Sequence, residues 1–265
     1  MKDYLQTNRI LWNKKTGVHL HSKFYDQAGF LAGKSTLKDI ELALLGDIKG
    51  KRILHLQCHF GQDTISLARI GATVTGVDLS DEAIKQAKAT AQQLGLDQKV
   101  DFICCDVQSL DEHLDEKFDI VFTSYGTIAW LPTIDKWGQI IAHFLKPTGQ
   151  FIFVEFHPMV WMLDDDFKKV AYPYFNTQTF HEEFTTSYTD GEGHEPAMGY
   201  SWNHPLSEVI QVIIDSKLAI KDFKEYDYSP YNCFPNAVKG SNGYQIGGFE
   251  GKLAMVYSIV ARLKH

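Results

Sequence analysis

Apolar and polar positions follow one rhythm through the middle of this chain and a different one on either side. Between Lys51 and His157, short and nearly continuous apolar runs alternate with segments whose apolar residues recur at helical spacing. The runs Arg52–Gln57, Thr73–Val77 (ending on Asp78), Val100–Cys105 (ending on Asp106), Phe118–Ser124 and Gln150–Phe156 predict strands buried on both faces. The segments between them predict helices over Gln62–Ile70, from an N-cap at Ser80 to a stop at Gly95, and over Ile134–Phe144. Lys146-Pro147-Thr148-Gly149 predicts a turn before the fifth strand. Strict alternation of this kind predicts a parallel sheet with helices on both faces. Right-handed crossovers then bring every strand's C-terminal end to one edge, so a ligand crevice is expected among Asp78, Asp106, Ser124 and His157.

Ahead of this region, Asp3–Asn13 predicts a helix with Leu5, Ile10, Leu11 and Trp12 as its apolar stripe. The segment His19–Tyr25, rich in histidine and aromatic residues, suits either a brace on the sheet or a lid over the crevice. Ser35 or Thr36 is expected to cap a helix that runs to Leu45 and stops at Gly46. The rhythm breaks over Pro158–Asn203. Aromatics and the turn signals Asp190-Gly191-Glu192-Gly193 there predict an antiparallel hairpin or small subdomain overhanging the crevice. It resumes with a helix over Pro205–Lys217, a strand over Ile220–Tyr226, a long loop over Ser229–Gly251 and a last strand over Leu253–Ala261. The expected organisation is a helical brace or lid over 1–46, a core formed by 47–157 and 204–265, and a substrate-side insertion over 158–203.

Composition narrows the partners. A chain of 265 residues is long enough for one such domain with an insertion and a sizeable core. A net charge of −7 argues against a nucleic-acid substrate, which needs a basic face. No apolar run is long enough to cross a membrane, and the first residues open no signal-peptide pattern. Cys58, Cys104, Cys105 and Cys233 lack CxxC spacing and read as reduced, buried residues of a cytoplasmic protein. The oligomeric state is left open.

The candidate chemistry is concentrated in Arg52–Asp78. A strand that turns sharply into a helix leaves unpaired backbone N–H groups at the crevice, and an acid ending the next strand is placed to hold the hydroxyls of a ribose. This predicts a site for a nucleoside-type cofactor. The plainer roles are a helix-capping or exposed strand-end acid for Asp78 and a turn-forming acid for Asp106. His55 and His59 have the spacing of a helical zinc pair, but they fall on a strand and turn with no glutamate between them, so no metal is expected.

Five stretches, in order, resemble the successive motifs of the class I S-adenosylmethionine-dependent methyltransferases. They are His55–Gly61, Gly76-Val77-Asp78-Leu79-Ser80, Cys105-Asp106-Val107, Phe118–Tyr125 and Leu145–Gln150. The run Leu54-His55-Leu56-Gln57-Cys58-His59-Phe60-Gly61-Gln62-Asp63-Thr64 resembles a bacterial subgroup with a variant first motif. The resemblance covers Lys51–Phe156 and, less closely, the closing strands. It implies a Rossmann-like seven-stranded sheet, mostly parallel, with helices on both faces and an antiparallel last strand. It also implies S-adenosylmethionine as cofactor, held by His55, Gln57, Cys58, His59 and Gly61 at the turn. Asp78 and Leu79 would lie at the ribose, Asp106 and Val107 at the adenine, and Ser124 and Tyr125 near the transferred methyl. The family pattern is an acid followed by G-x-G-x-G. Here His55 replaces the acid, Gln57 and His59 replace glycines, and Gly61 alone keeps the pattern. Gly61 is expected to let the backbone approach the methionine end, which the bulk of Gln57 and His59 would hold differently. His55 either bonds the turn or cofactor in its neutral form or is a core histidine satisfied by backbone.

Tyr125, His157, Trp161, Trp202 and His204 are the substrate candidates. Tyr125 and His157 follow strand ends. Trp161 and Trp202 flank the insertion, where they would wall the site, present a cation–π surface to the sulfonium, or simply build the insertion's own core. His157 is the one candidate general base, required only if the acceptor must lose a proton. The expected function is methyl transfer to a small-molecule acceptor by in-line displacement at the sulfonium methyl. Alignment and exclusion of water are then the enzyme's main tasks. Two alternatives stand beside it. An NAD-dependent oxidoreductase suits the acid after the second strand but lacks G-x-G-x-x-G. A non-catalytic ligand-binding module of the same fold is suggested by the altered turn.

Overall fold

The computed structural model describes residues 3–191 and 195–264. Its frame is a seven-stranded sheet. The first five strands are β1 (Arg52–Leu56), β2 (Thr73–Asp78), β3 (Val100–Cys104), β4 (Phe118–Ser124) and β5 (Leu145–Phe156). A hairpin, β6 (Phe180–Phe184) with β7 (Ala197–Ser201), stands outside the sheet, as does a second one, β9 (Ala237–Lys239) with β10 (Tyr244–Ile246). The sheet is completed by β8 (Leu218–Tyr226) and β11 (Val256–Leu263), in the order β3-β2-β1-β4-β5-β11-β8. β11 runs antiparallel to both neighbours, so six strands share one direction and the last is reversed. The parallel sheet is the one expected from the alternation, and the seven strands with the last reversed make the Rossmann-like fold that the family resemblance implies.

The helices are α1 (Asp3–Leu20), α2 (Gln27–Leu31), α3 (Asp39–Leu45), α4 (Gln62–Arg69), α5 (Asp81–Gln93), α6 (Asp135–Phe144) and α7 (Leu206–Asp215). Pleating sends alternate residues of each strand to opposite faces. Leu54 and Leu56 of β1 join Trp137, Ile141 and Phe144 of α6 and Val209 and Ile213 of α7. Ile53 faces the other way, toward Ile65 and Leu67 of α4 and Ile84 and Ala87 of α5. Both faces are therefore covered, which leaves the strand ends open.

Several expectations need correction. α1 runs on to Leu20, with Leu11 fully buried but Ile10 46% exposed. Its inward face is polar, with Asn8, Lys15, Thr16 and His19 all buried, so apolar periodicity could not trace it past Trp12. α3 starts at Asp39, not behind Ser35 or Thr36, because the Thr36 hydroxyl is turned to Asp63 and the Lys38 N–H is capped by Glu41. The short α2, started by Asp26 in left-handed geometry, was not foreseen. No turn separates α6 from β5: pairing starts at Phe118–Leu145, and Lys146–Gly149 form an irregular stretch before it resumes at Ile120–Gln150. Gly149 is needed there because a Cβ would stand 2.9 Å from the Phe118 carbonyl oxygen. The loop expected over Ser229–Gly251 contains β9 and β10, and the final strand starts at Val256. The hairpin within Pro158–Asn203 is present as β6–β7; of its proposed turn, Glu192 and Gly193 lie outside the described residues.

Candidate active site

At the C-terminal ends of β1 to β4 lies a cavity of about 650 Å³, within the usual range for small-molecule sites. Its floor is the turn from β1 into α4. Gln57 (φ 55°) and His59 (φ 51°) both adopt the left-handed backbone that glycine tolerates best, as does Gly61 (φ 78°). The chain thus keeps the backbone path of a glycine-rich turn and adds two side chains to it. The Gln57 amide donates to the Thr127 carbonyl at 2.7 Å. The His59 ring lies 5.2 Å from the Trp12 ring, with Nε2 2.8 Å from His19 Nδ1. Burial, with the Lys15 charge nearby, lowers the His59 pKa to about 3.

Gly61 lines the cavity, but its first requirement is packing. A Cβ there would stand 2.7 Å from the Phe102 ring and 2.9 Å from the Ala87 methyl. Gly76 is in the same position, 2.8 Å from Phe102 and 2.9 Å from Cys58 Sγ. Both glycines let the turn sit directly on β2 and β3. His55 is buried behind this turn, where Nδ1 meets the Thr64 hydroxyl at 2.8 Å. Burial lowers its pKa to about 3, so it is neutral and tied to the first turn of α4 by a side-chain partner, not by backbone.

Asp78 ends β2 and accepts the His59 N–H at 2.8 Å on one oxygen and the Ser80 N–H at 2.9 Å on the other. A carboxylate offers about four acceptor sites, so capacity remains beyond these backbone partners. Burial raises its pKa above the usual carboxylate value. Asp106 accepts the Gln108 N–H at 3.1 Å and so caps the turn that follows β3, while also bordering the cavity with Leu79, Cys105 and Val107. Ser124 and Tyr125 close the next side. Tyr125 has φ 49°, and its hydroxyl donates to Glu41 at 2.8 Å. Burial and neighbouring Asp63 raise the Glu41 pKa to about 7.

Trp161 and Trp202 border the cavity and also pack within the region 158–203 and around it: Trp161 against Phe156 and Phe234, Trp202 through Nε1 to the Thr179 hydroxyl at 3.0 Å. His157 and His204 are not brought to the cavity. His157 accepts the Met159 N–H on Nδ1 and meets Glu225 of β8 through Nε2 at 2.9 Å. His204 is buried between the Leu131 carbonyl and Glu208. A strand-end position does not decide which way a side chain points: His157 turns away from the cavity, as does His204 just ahead of α7.

Three groups escaped the sequence reading. Glu155, fully packed inside β5, accepts N–H groups from Gly126, Thr127 (2.7 Å), Ile128 (3.3 Å) and Phe156 (2.7 Å) and the Thr127 hydroxyl (2.9 Å). It fixes the loop that walls the crevice; an acid inside the apolar run Phe151–Phe156 was its only signal. Lys15 of α1 stands among the rings of Trp12, Trp130, Phe184 and Tyr188 in the cavity lining. Asp63 of α4 lines the cavity and Glu41 of α3 stands behind it, holding the Tyr125 hydroxyl, neither with any strand-end signal.

A family model for a methyltransferase domain matches residues 47–204, more than half of the chain, and the chain belongs to that family. Among curated relatives, it is 27% identical over 150 residues to a ubiquinone biosynthesis O-methyltransferase of Idiomarina loihiensis, covering 54% of this chain and 60% of that one. It is also 27% identical over 150 residues to the human mitochondrial ubiquinone biosynthesis O-methyltransferase, covering 51% of this chain and 40% of that one. The matched segment thus spans about half the length of these relatives. Among solved structures, an S-adenosylmethionine-dependent methyltransferase from Clostridium acetobutylicum shares the fold, with TM-score 0.58, 17% identity and 94% and 95% of the two chains covered. The glycopeptide N-methyltransferase MtfA, solved with S-adenosylmethionine, has TM-score 0.57 and 14% identity, with 88% of each chain covered.

Proposed function

We propose that the protein transfers a methyl group from S-adenosylmethionine to a small-molecule acceptor by in-line displacement. The observation that carries this reading is the pair Asp78 and Asp106, on the ends of adjacent parallel strands, bordering one cavity above a turn with glycine-like backbone. The residues fit the cofactor. Asp78 has lone pairs left for ribose hydroxyls, and Leu79, Asp106 and Val107 suit an adenine ring. Gln57 Oε1 and Gln62 Oε1 are buried without a partner among the described residues, and both residues line the cavity beside the turn, where an ammonium would complete them. His55, neutral and tied to Thr64, stiffens the turn, while Cys58 and His59 shape it.

The sulfonium supplies an already activated methyl, so the chain's residues orient the partners and keep water out. Ser124 and Tyr125 would stand beside the reacting centre, with Trp161 and Trp202 on the acceptor side. The N-terminal segment serves as a lid. His19 reaches Ser187 at 2.7 Å, Tyr25 meets Tyr188, and Asn8 holds Tyr200, so α1 and the insertion over 158–203 close the roof together. α3 belongs to the core, through Leu45. No helix among the described residues is long and apolar enough to cross a membrane. We place the protein in the cytoplasm, and its net charge of −7 supports a small molecule over a nucleic acid as acceptor.

Titration calorimetry with S-adenosylhomocysteine tests the reading. We expect binding that Asp78→Ala weakens at least tenfold, about 1.4 kcal/mol. No heat at millimolar ligand would overturn the cofactor reading, and unchanged affinity in the variant would overturn the role of Asp78.

A further inference from the structure

We propose that the acceptor bears a carboxylate on an aromatic or apolar frame, and that the Lys15 ammonium, boxed by Trp12, Trp130, Phe184 and Tyr188 in the cavity roof, receives that group. The proposal rests on the methyl-transfer reading only for the name acceptor; the anion site stands on its own geometry.

Lys15 lies on the face of α1 that also carries Trp12 and His19, and it is 3% exposed. Its Nζ lies 4.6 Å from the Phe184 ring centre, 5.2 Å from Trp12, 5.5 Å from Trp130 and 5.9 Å from Tyr188. All five residues line the cavity. Among the described residues no carboxylate forms an ion pair with Lys15, and no oxygen accepts from it. Its neighbour Lys14, on the outer face, has both kinds of partner, Glu195 at 3.4 Å and the Pro196 carbonyl at 3.0 Å.

That contrast carries the inference. An ammonium has three N–H donors, and enclosing it without an acceptor is unfavourable. Ring faces return part of this, but they accept no conventional hydrogen bond. A purely structural brace would be served by a leucine or methionine at this position without that penalty. A bound carboxylate would satisfy the donors, and the surrounding indole, phenyl and phenol faces would enclose an aromatic or apolar frame.

The test follows the intrinsic tryptophan fluorescence, to which Trp12 and Trp130 contribute, with calorimetry alongside, as benzoate, phenylacetate and cinnamate are titrated against their neutral amides. Protein with and without S-adenosylhomocysteine is used. At least one acid should bind ten times more tightly than its amide, and Lys15→Met should erase that ratio while Lys15→Arg retains it. Equal binding of acid and amide, a preference that survives Lys15→Met, or no binding by any of the acids overturns the proposal. If Lys15→Met does not fold, the wild-type acid-to-amide ratio and its persistence in Lys15→Arg decide instead. An acid preference that depends on Lys15 in protein that ignores S-adenosylhomocysteine would keep the anion site and remove the cofactor reading.

Discussion

Gly61 and Gly95 both have positive φ, yet their surroundings differ. A Cβ on Gly61 would stand 2.7 Å from Phe102, whereas Gly95 has nothing within 4 Å. Gly61→Ala should therefore combine backbone strain of about 1 kcal/mol with overpacking of about 1–3 kcal/mol. Gly95→Ala should show only the first. Urea denaturation midpoints of the two variants measure the difference. Glu41 offers a pH test. Its folded pKa is about 7 against an ordinary 4.5, so between those values the native state holds a proton that the unfolded state has lost. Its contribution is fully present below pH 4.5 and disappears as pH rises through 7, by about 3 kcal/mol. Glu41→Gln should flatten that decline when chemical denaturation is compared at pH 5 and pH 8. At this scale the sequence revealed residue types but not their directions. His157 and Asp106 both follow strands, yet only Asp106 borders the cavity.

Among the elements, the strands were legible because burial on both faces makes them continuous apolar runs, and Phe118–Ser124 was read to the residue. α1 was legible only in its first half because its inward face serves polar partners. Asn8 is the clearest of these: its amide donates to the Tyr200 carbonyl at 3.0 Å and accepts the Tyr200 N–H at 2.8 Å, binding α1 to β7. Asn8→Ala should cost about 1–3 kcal/mol by leaving both backbone groups unpaired. Hydrogen exchange would then rise in α1 and in β6–β7 while β1, β4 and β5 stay protected; a uniform rise would argue against a separable lid. β9 and β10 went unseen because three-residue strands carry too little pattern to register.

For the whole molecule, a ligand that binds only the folded state stabilises it by about 2.7 kcal/mol at a hundred times its dissociation constant. For a chain of this size that amounts to a rise of about 5–10 °C in Tm. S-adenosylhomocysteine should give such a rise and NADH none; the reverse result would favour the oxidoreductase alternative.

The sequence alone determined the extents and common direction of the central strands, the crevice at their C-terminal ends and the acids that edge it, because local runs of residues and right-handed crossovers suffice for these. Only the tertiary structure decided that Glu155 anchors the β4 loop, that His157 and His204 turn away, and that Lys15 is enclosed by rings from α1, the β4 loop and the insertion. Those partners lie far apart in the chain, and apolar periodicity carries no information about which distant side chains folding will bring together.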